Sequence, residues 1–107
     1  MLLCDMEKVT TITYNQTLTE NSSLIIKVEA PWCGPCKAMA KNMVGWDETN
    51  YPIKTLDVDE EPELAQELGI RSVPIFIFYK DGIEVKRITG STSLETIKTT
   101  FDVYSKK

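Results

Sequence analysis

The sequence predicts an α/β fold in which a central mixed β-sheet is flanked by helices on both faces, and three observations carry that prediction. Two β-rich runs, at 23–30 and 52–59, alternate with segments whose apolar residues recur at helical spacing. Residues 73–88, "VPIFIFYKDGIEVKRI", read as a hairpin because Asp81-Gly82 stands between two β-rich stretches. The chain has 107 residues and no repetitive or low-complexity insert, so one domain spanning 1–107 and one core are expected. Strands separated by helices imply right-handed crossovers and parallel pairing, whereas a hairpin is antiparallel, and together they make the sheet mixed.

In chain order, "KVTTI" (8–12) is a weak strand candidate, and "YNQTLTEN" (14–21) reads as a short helix or a loop. "SLIIKVEA" (23–30) is rich in β-branched residues and stops where Pro31 blocks further pairing. From Gly34 the period turns helical: Cys36, Met39, Ala40, Met43 and Trp46 fall on one side, with Lys37, Lys41 and Asn42 on the other. "PIKTLDVD" (52–59) is a further strand. A helix is expected over 60–68, with Pro62 tolerated in its first turn and Gly69 as its stop. After the hairpin, Thr92 to Glu95 matches a capping box, and Leu94, Ile97, Phe101 and Tyr104 supply an apolar stripe for the last helix.

Composition is that of an ordinary globular protein, 42% apolar and 26% charged, which favours a packed core over disorder. A formal charge of −4 with scattered basic residues argues against nucleic acid or an anionic membrane as partner. The longest apolar runs fall far short of a bilayer span, and the start "MLLCDMEK" has neither a basic leader nor an apolar stretch sufficient for a signal peptide. A cytoplasmic location is therefore expected. Three cysteines do not make a disulfide scaffold, and the absence of histidine removes Cys/His and Ser/His nucleophilic pairs and imidazole-bound zinc.

Cys33-Gly34-Pro35-Cys36 stands where a strand ends and a helix begins. The unpaired N–H groups and positive dipole end of that helix favour thiolate over thiol at the first cysteine, and the thiolate is the form that attacks disulfides. Cys33 is thus the expected nucleophile. Cys36, one turn on and facing the core, is the residue expected to resolve the mixed disulfide. Gly34 is expected to allow a close approach of chain, and Pro35 to restrain the turn where its missing N–H costs little. A zinc site needs two further ligands, for which only Cys4 or carboxylates remain, and a structural disulfide closing so short a loop stabilises little. Cys4, near the terminus with no partner motif, reads as a spare thiol.

Beyond the cysteines, "WCGPCK" (32–37), "DVDEEPELAQELGIRSVPIFIFYKDG" (57–82) and Gly90 ahead of the last helix resemble the thioredoxin family. The resemblance runs through most of the chain and is weakest before Ser23. It implies a thioredoxin-like fold and a protein-disulfide reductase that acts by dithiol–disulfide exchange. It also implies that Trp32 flanks the nucleophile and that Pro74 is a cis-proline facing the cysteines. Val73 would offer its backbone to an extended substrate segment, and Gly90 would keep the substrate groove open. Backbone pairing of that kind binds many sequences without choosing strongly among them. The Gly-Pro pair between the cysteines is similar to the reducing members of the superfamily. Implied partners are disulfide-containing protein substrates and a thioredoxin reductase or equivalent reductant, with no metal or organic cofactor and a monomeric chain. The alternatives are a binding module that keeps the fold and docks a partner, or a glutaredoxin-like electron donor.

One departure from the family stands out. The position usually held by a buried aspartate, thought to take the proton of the resolving thiol, is Lys27, with Glu29 two residues on and Lys41 in place of a helix-kinking proline. Lys27 and Glu29 share one strand face and Ile26 and Val28 the other. Three readings compete: Lys27 snorkels from a less covered face; it pairs with Asp57 on the next strand, with or without Glu29; or the chemistry changes, with a charged Lys27 stabilising thiolate or proton transfer from Cys36 using Glu29, Lys27 or water, Asp57 being a further candidate.

Overall fold

The computed structural model describes residues 7–105. Its elements in chain order are α1 (Tyr14–Glu20), β1 (Ser23–Glu29), α2 (Gly34–Asn42), β2 (Ile53–Asp57), α3 (Pro62–Glu67), β3 (Ile75–Lys80), β4 (Ile83–Thr89) and α4 (Leu94–Ser105). The strands form one sheet in the order β2-β1-β3-β4. β1 pairs parallel with β2 and antiparallel with β3, and β3 pairs antiparallel with β4, so the sheet is mixed. Cys4 lies outside the described residues.

β1 is central, and its five inner residues, from Leu24 to Val28, are all buried. A strand covered on both faces shows a continuous apolar run in place of alternation, which is how "LIIKV" reads apart from its lysine. Leu24, Ile26 and Val28 meet Leu56, Ile75, Ile77 and Tyr79 on one face, under Leu18 of α1 and Leu64 of α3. Ile25, Ile53, Phe76 and Phe78 line the other, under Met39 of α2, Met43 and the α4 residues Ile97 and Phe101.

Pairing across α3 differs from the expected parallel crossover. α3 has six residues and a length of about 9 Å, too short to carry the chain back along the sheet. β3 therefore starts beside Val28, at the end of β1 near which β2 stops, and runs the opposite way. Three chain segments converge at this end of the sheet: the turn after β1, the approach to β3, and the exit from β4, where Thr89 pairs with Ile75.

Smaller corrections have local causes. The 8–12 segment is no strand, since Lys8 makes only an isolated bridge to Thr55, bounded by bonds from Thr55 N–H to Glu7 and from Val9 N–H to Thr55. Thr11 then donates its N–H and hydroxyl to Glu61, holding that carboxyl below its ordinary range and pinning this segment to α3. Residues 14–21, left open between helix and loop, contain α1. α2 ends at Asn42, with the Met43 N–H divided between the Met39 and Ala40 carbonyls, so Trp46 lies beyond the helix. Trp46 still packs, edge-on to Tyr51 and donating its ring N–H to the Tyr51 carbonyl. The predicted 60–68 helix is shorter, and the cap of α4 is Ser93, whose Oγ accepts the Thr96 N–H at 3.1 Å, in place of the Thr92–Glu95 box. The hairpin turn is as read: Asp81 and Gly82 both have positive φ, 53° and 81°, as a two-residue hairpin turn of this hand requires.

Candidate functional site

Pro31 and the end of β1 release the chain into α2, and Cys33 becomes the helix N-cap with extended backbone (φ −89°, ψ 109°). Its Sγ accepts the Cys36 N–H at 3.1 Å, one of the amides a helix start leaves unpaired. Pro35 falls in the first turn, where its missing N–H removes no intrahelical bond. Cys33 and Cys36 are joined by a disulfide with Cα atoms 5.2 Å apart. The two residues are 4% and 2% exposed, so accessibility alone does not distinguish them. The helix does: Cys33 at the N-cap faces a backbone amide, while Cys36 is inside the first turn.

Ala30, Val58 and Val73 pack around the two sulfurs. Trp32 is 67% exposed, and its ring N–H donates to Asp59 at 3.3 Å, so a flat apolar surface is held beside the cysteines. Between Trp32 and Val73 lies a cleft of about 160 Å³, whose wall includes Ile70 and Arg71. The Val73–Pro74 bond is cis. Among the described residues, the Val73 N–H and carbonyl make no hydrogen bond, while the Pro74 carbonyl accepts the Gly90 N–H at 2.8 Å. An unpaired backbone edge thus lies next to the disulfide.

One glycine expectation changes, the close approach of chain at Gly34. A Cβ at Gly34 or at Gly90 would meet no atom of the described residues within 4 Å, so neither position is crowded by them. Gly90 also has a backbone requirement, at φ +91°, a conformation that residues with a Cβ rarely adopt.

In the middle of β1, Lys27 is 1% exposed, which removes the snorkelling reading. Its Nζ donates to Glu29 Oε1 at 2.5 Å. The Lys27–Asp57 pair expected from strand alternation is absent. Cross-strand register sets Lys27 against Thr55 and Glu29 against Asp57, and the Asp57 carboxylate turns away to accept the backbone N–H groups of Asp59 and Glu60. Glu29, Cys36 and Asp57, together with Lys8 and Lys37, line a cavity of about 310 Å³. Sequence reading missed Lys8, Asp59 and Arg71 as neighbours of this region. Asp59 and Arg71 lie inside the quoted motif, but Lys8 arrives from a segment whose sequence gives no hint of where it docks.

The family model described as Thioredoxin matches residues 5–103. A thioredoxin of Mycobacterium tuberculosis is 35% identical over 98 residues, 83% of this chain and 84% of its own length. Thioredoxin-2 of Pyricularia oryzae is 34% identical over 80 residues, 73% of this chain, and the match spans 47% of that longer protein. Mitochondrial thioredoxin 3 of Saccharomyces cerevisiae, solved in its oxidised form, superposes with a TM-score of 0.76 at 30% identity, covering 91% of this chain and 94% of that one.

Proposed function

The chain belongs to the thioredoxin family and is a thiol–disulfide oxidoreductase of the protein-disulfide reductase type, and within that activity we propose that Cys33 is the attacking sulfur and Cys36 the resolving one. The observation that carries this assignment is the Cys33 Sγ at the N-cap of α2, accepting the Cys36 N–H. A helix start stabilises the thiolate there, and Cys36 is already within bonding reach. The substrate segment lies extended along the unpaired Val73 backbone, against Trp32 and over the Pro74–Gly90 junction. The protein works as a single-domain monomer in the cytoplasm, passing electrons from a thioredoxin reductase or equivalent to disulfide-containing proteins.

The order of attack is tested by trapping. With a disulfide substrate in excess, Cys36→Ser is expected to accumulate a stable mixed disulfide detectable by mass spectrometry, and Cys33→Ser is expected not to. The reverse pattern would exchange the two roles. The parent protein is expected to accelerate insulin reduction by dithiothreitol, and no acceleration would remove the reductase reading.

A further inference from the structure

The resolving step needs a proton acceptor. Cys36 is 2% exposed, and a buried thiol resists ionisation, so its proton must leave by a defined route before the sulfur attacks. The cavity beside it supplies the route. At about 310 Å³ it has room for several waters, and among the described residues Glu29 and Asp57 are the carboxylates in its wall.

Among the described residues, the charged groups facing this space are Glu29 from β1, Asp57 from β2, Lys37 from α2 and Lys8 from the segment preceding α1, with Lys27 behind Glu29. Lys27 is held as a donor to Glu29 and does not line the cavity. Lys8 is engaged with Glu60 at 3.3 Å. Asp57 is committed through Oδ1 to two backbone amides, 2.8 and 3.3 Å away, at the approach to α3. Among the described residues Asp57 Oδ2 accepts no hydrogen bond, and Glu29 differs from Asp57 in its anchor, a buried lysine side chain in place of backbone amides. One oxygen is anchored by Lys27, and among the described residues Oε2 accepts no hydrogen bond.

Building on the dithiol reading above, we propose that Glu29 accepts the Cys36 proton through water in this cavity, with the buried Lys27 as the positioning residue that fixes the carboxylate. In the resolving step the Cys36 S–H bond breaks and its proton passes to the Glu29 carboxylate. The Cys36 thiolate attacks Cys33 Sγ, the Cys33–substrate S–S bond breaks, and the substrate sulfur leaves as a thiolate. The Cys33–Cys36 bond forms, and Glu29 returns its proton to solvent. When a reductant later opens the disulfide, Cys36 leaves as a thiolate and recovers a proton by the same path.

Stopped-flow reaction with 5,5′-dithiobis(2-nitrobenzoate), in a Cys4→Ser background, separates the steps, because attack and resolution each release one coloured thiolate. Glu29→Gln keeps the shape but not the basicity of the side chain. It is expected to slow the second release by about tenfold or more near neutral pH. That deficit is expected to shrink as pH rises above the ordinary thiol range of about 8.5, because increasing hydroxide takes the proton in place of the carboxylate. The first release, isolated in Cys36→Ser with and without Glu29→Gln, is expected to agree within about twofold, since it precedes the proposed proton transfer. If Glu29→Gln alone folds poorly, Lys27→Met/Glu29→Gln replaces the whole pair and is expected to show the same pH-dependent deficit. A pH-independent deficit or none, or a pH-dependent loss in Asp57→Asn without one in Glu29→Gln, overturns the proposal. Absence of any second release in the Cys4→Ser background would instead remove the dithiol reading on which it rests.

Discussion

At the residue scale, the Lys27–Glu29 pair asks most of its surroundings. A lysine with a 2%-exposed side chain is tolerated in the middle of a central strand only because a carboxylate meets it, and that carboxylate is itself 27% exposed. The asymmetry yields unequal mutational costs. Glu29→Ala strands a buried cation and is expected to cost about 3 kcal/mol in urea unfolding. Lys27→Met fills a similar volume without charge and leaves Glu29 free to hydrate, so stability is expected to fall by no more than about 1 kcal/mol or to rise. A larger loss in Lys27→Met than in Glu29→Ala would contradict this account. That the two side chains share a face was legible from strand alternation. Their preference for each other over Asp57 was not, because it depends on backbone amides that reach Asp57 only when the turn after β2 forms.

At the element scale, the helix that matters most is α2, and its start was readable from "CGPC" because N-caps and first-turn prolines act over three or four residues. Its end was less readable. The apolar spacing that continues to Trp46 reflects packing against Tyr51, achieved by a loop. α4 shows the same limit in finer detail. Both Thr92 and Ser93 are competent caps by type, and the chain uses Ser93. Ser93→Ala is therefore expected to lower unfolding stability by about 1 kcal/mol, and Thr92→Ala to change it by much less than that. Equal losses in the two variants would restore the capping box read from the sequence.

At the scale of the whole molecule, the sheet separates two apolar layers, and the cysteines belong to neither of the large ones. Ile97 is fully buried against β1 and β3 from α4, within the layer that also holds Phe76 and Phe101. Ile97→Ala is expected to cost about 2–5 kcal/mol of stability through lost burial and a residual cavity. Under conditions where the variant remains folded, its rate of disulfide exchange is expected to match the parent, because Cys33, Cys36 and Val73 are packed in a cluster that excludes Ile97. Parallel losses in both measurements would mean that the layers are mechanically coupled. The same architecture explains why the reactive end is where it is. The short α3 delivers Val73 and Pro74 to the end of β1 that also launches Cys33, and the antiparallel exit of β4 brings Gly90 back to bond Pro74.

By itself the sequence determined the α/β class, most of the elements and the thiol chemistry of Cys33 and Cys36. Each of those rests on periodicity, dihedral preference or electrostatics acting over a few neighbouring residues. Only the tertiary structure decided that β1 and β3 run antiparallel, that Lys27 is buried and bound to Glu29, and that Glu29, Asp57 and Cys36 share one cavity. These outcomes depend on which groups distant in sequence arrive within hydrogen-bond reach, and on how much water is left between them once the chain has closed.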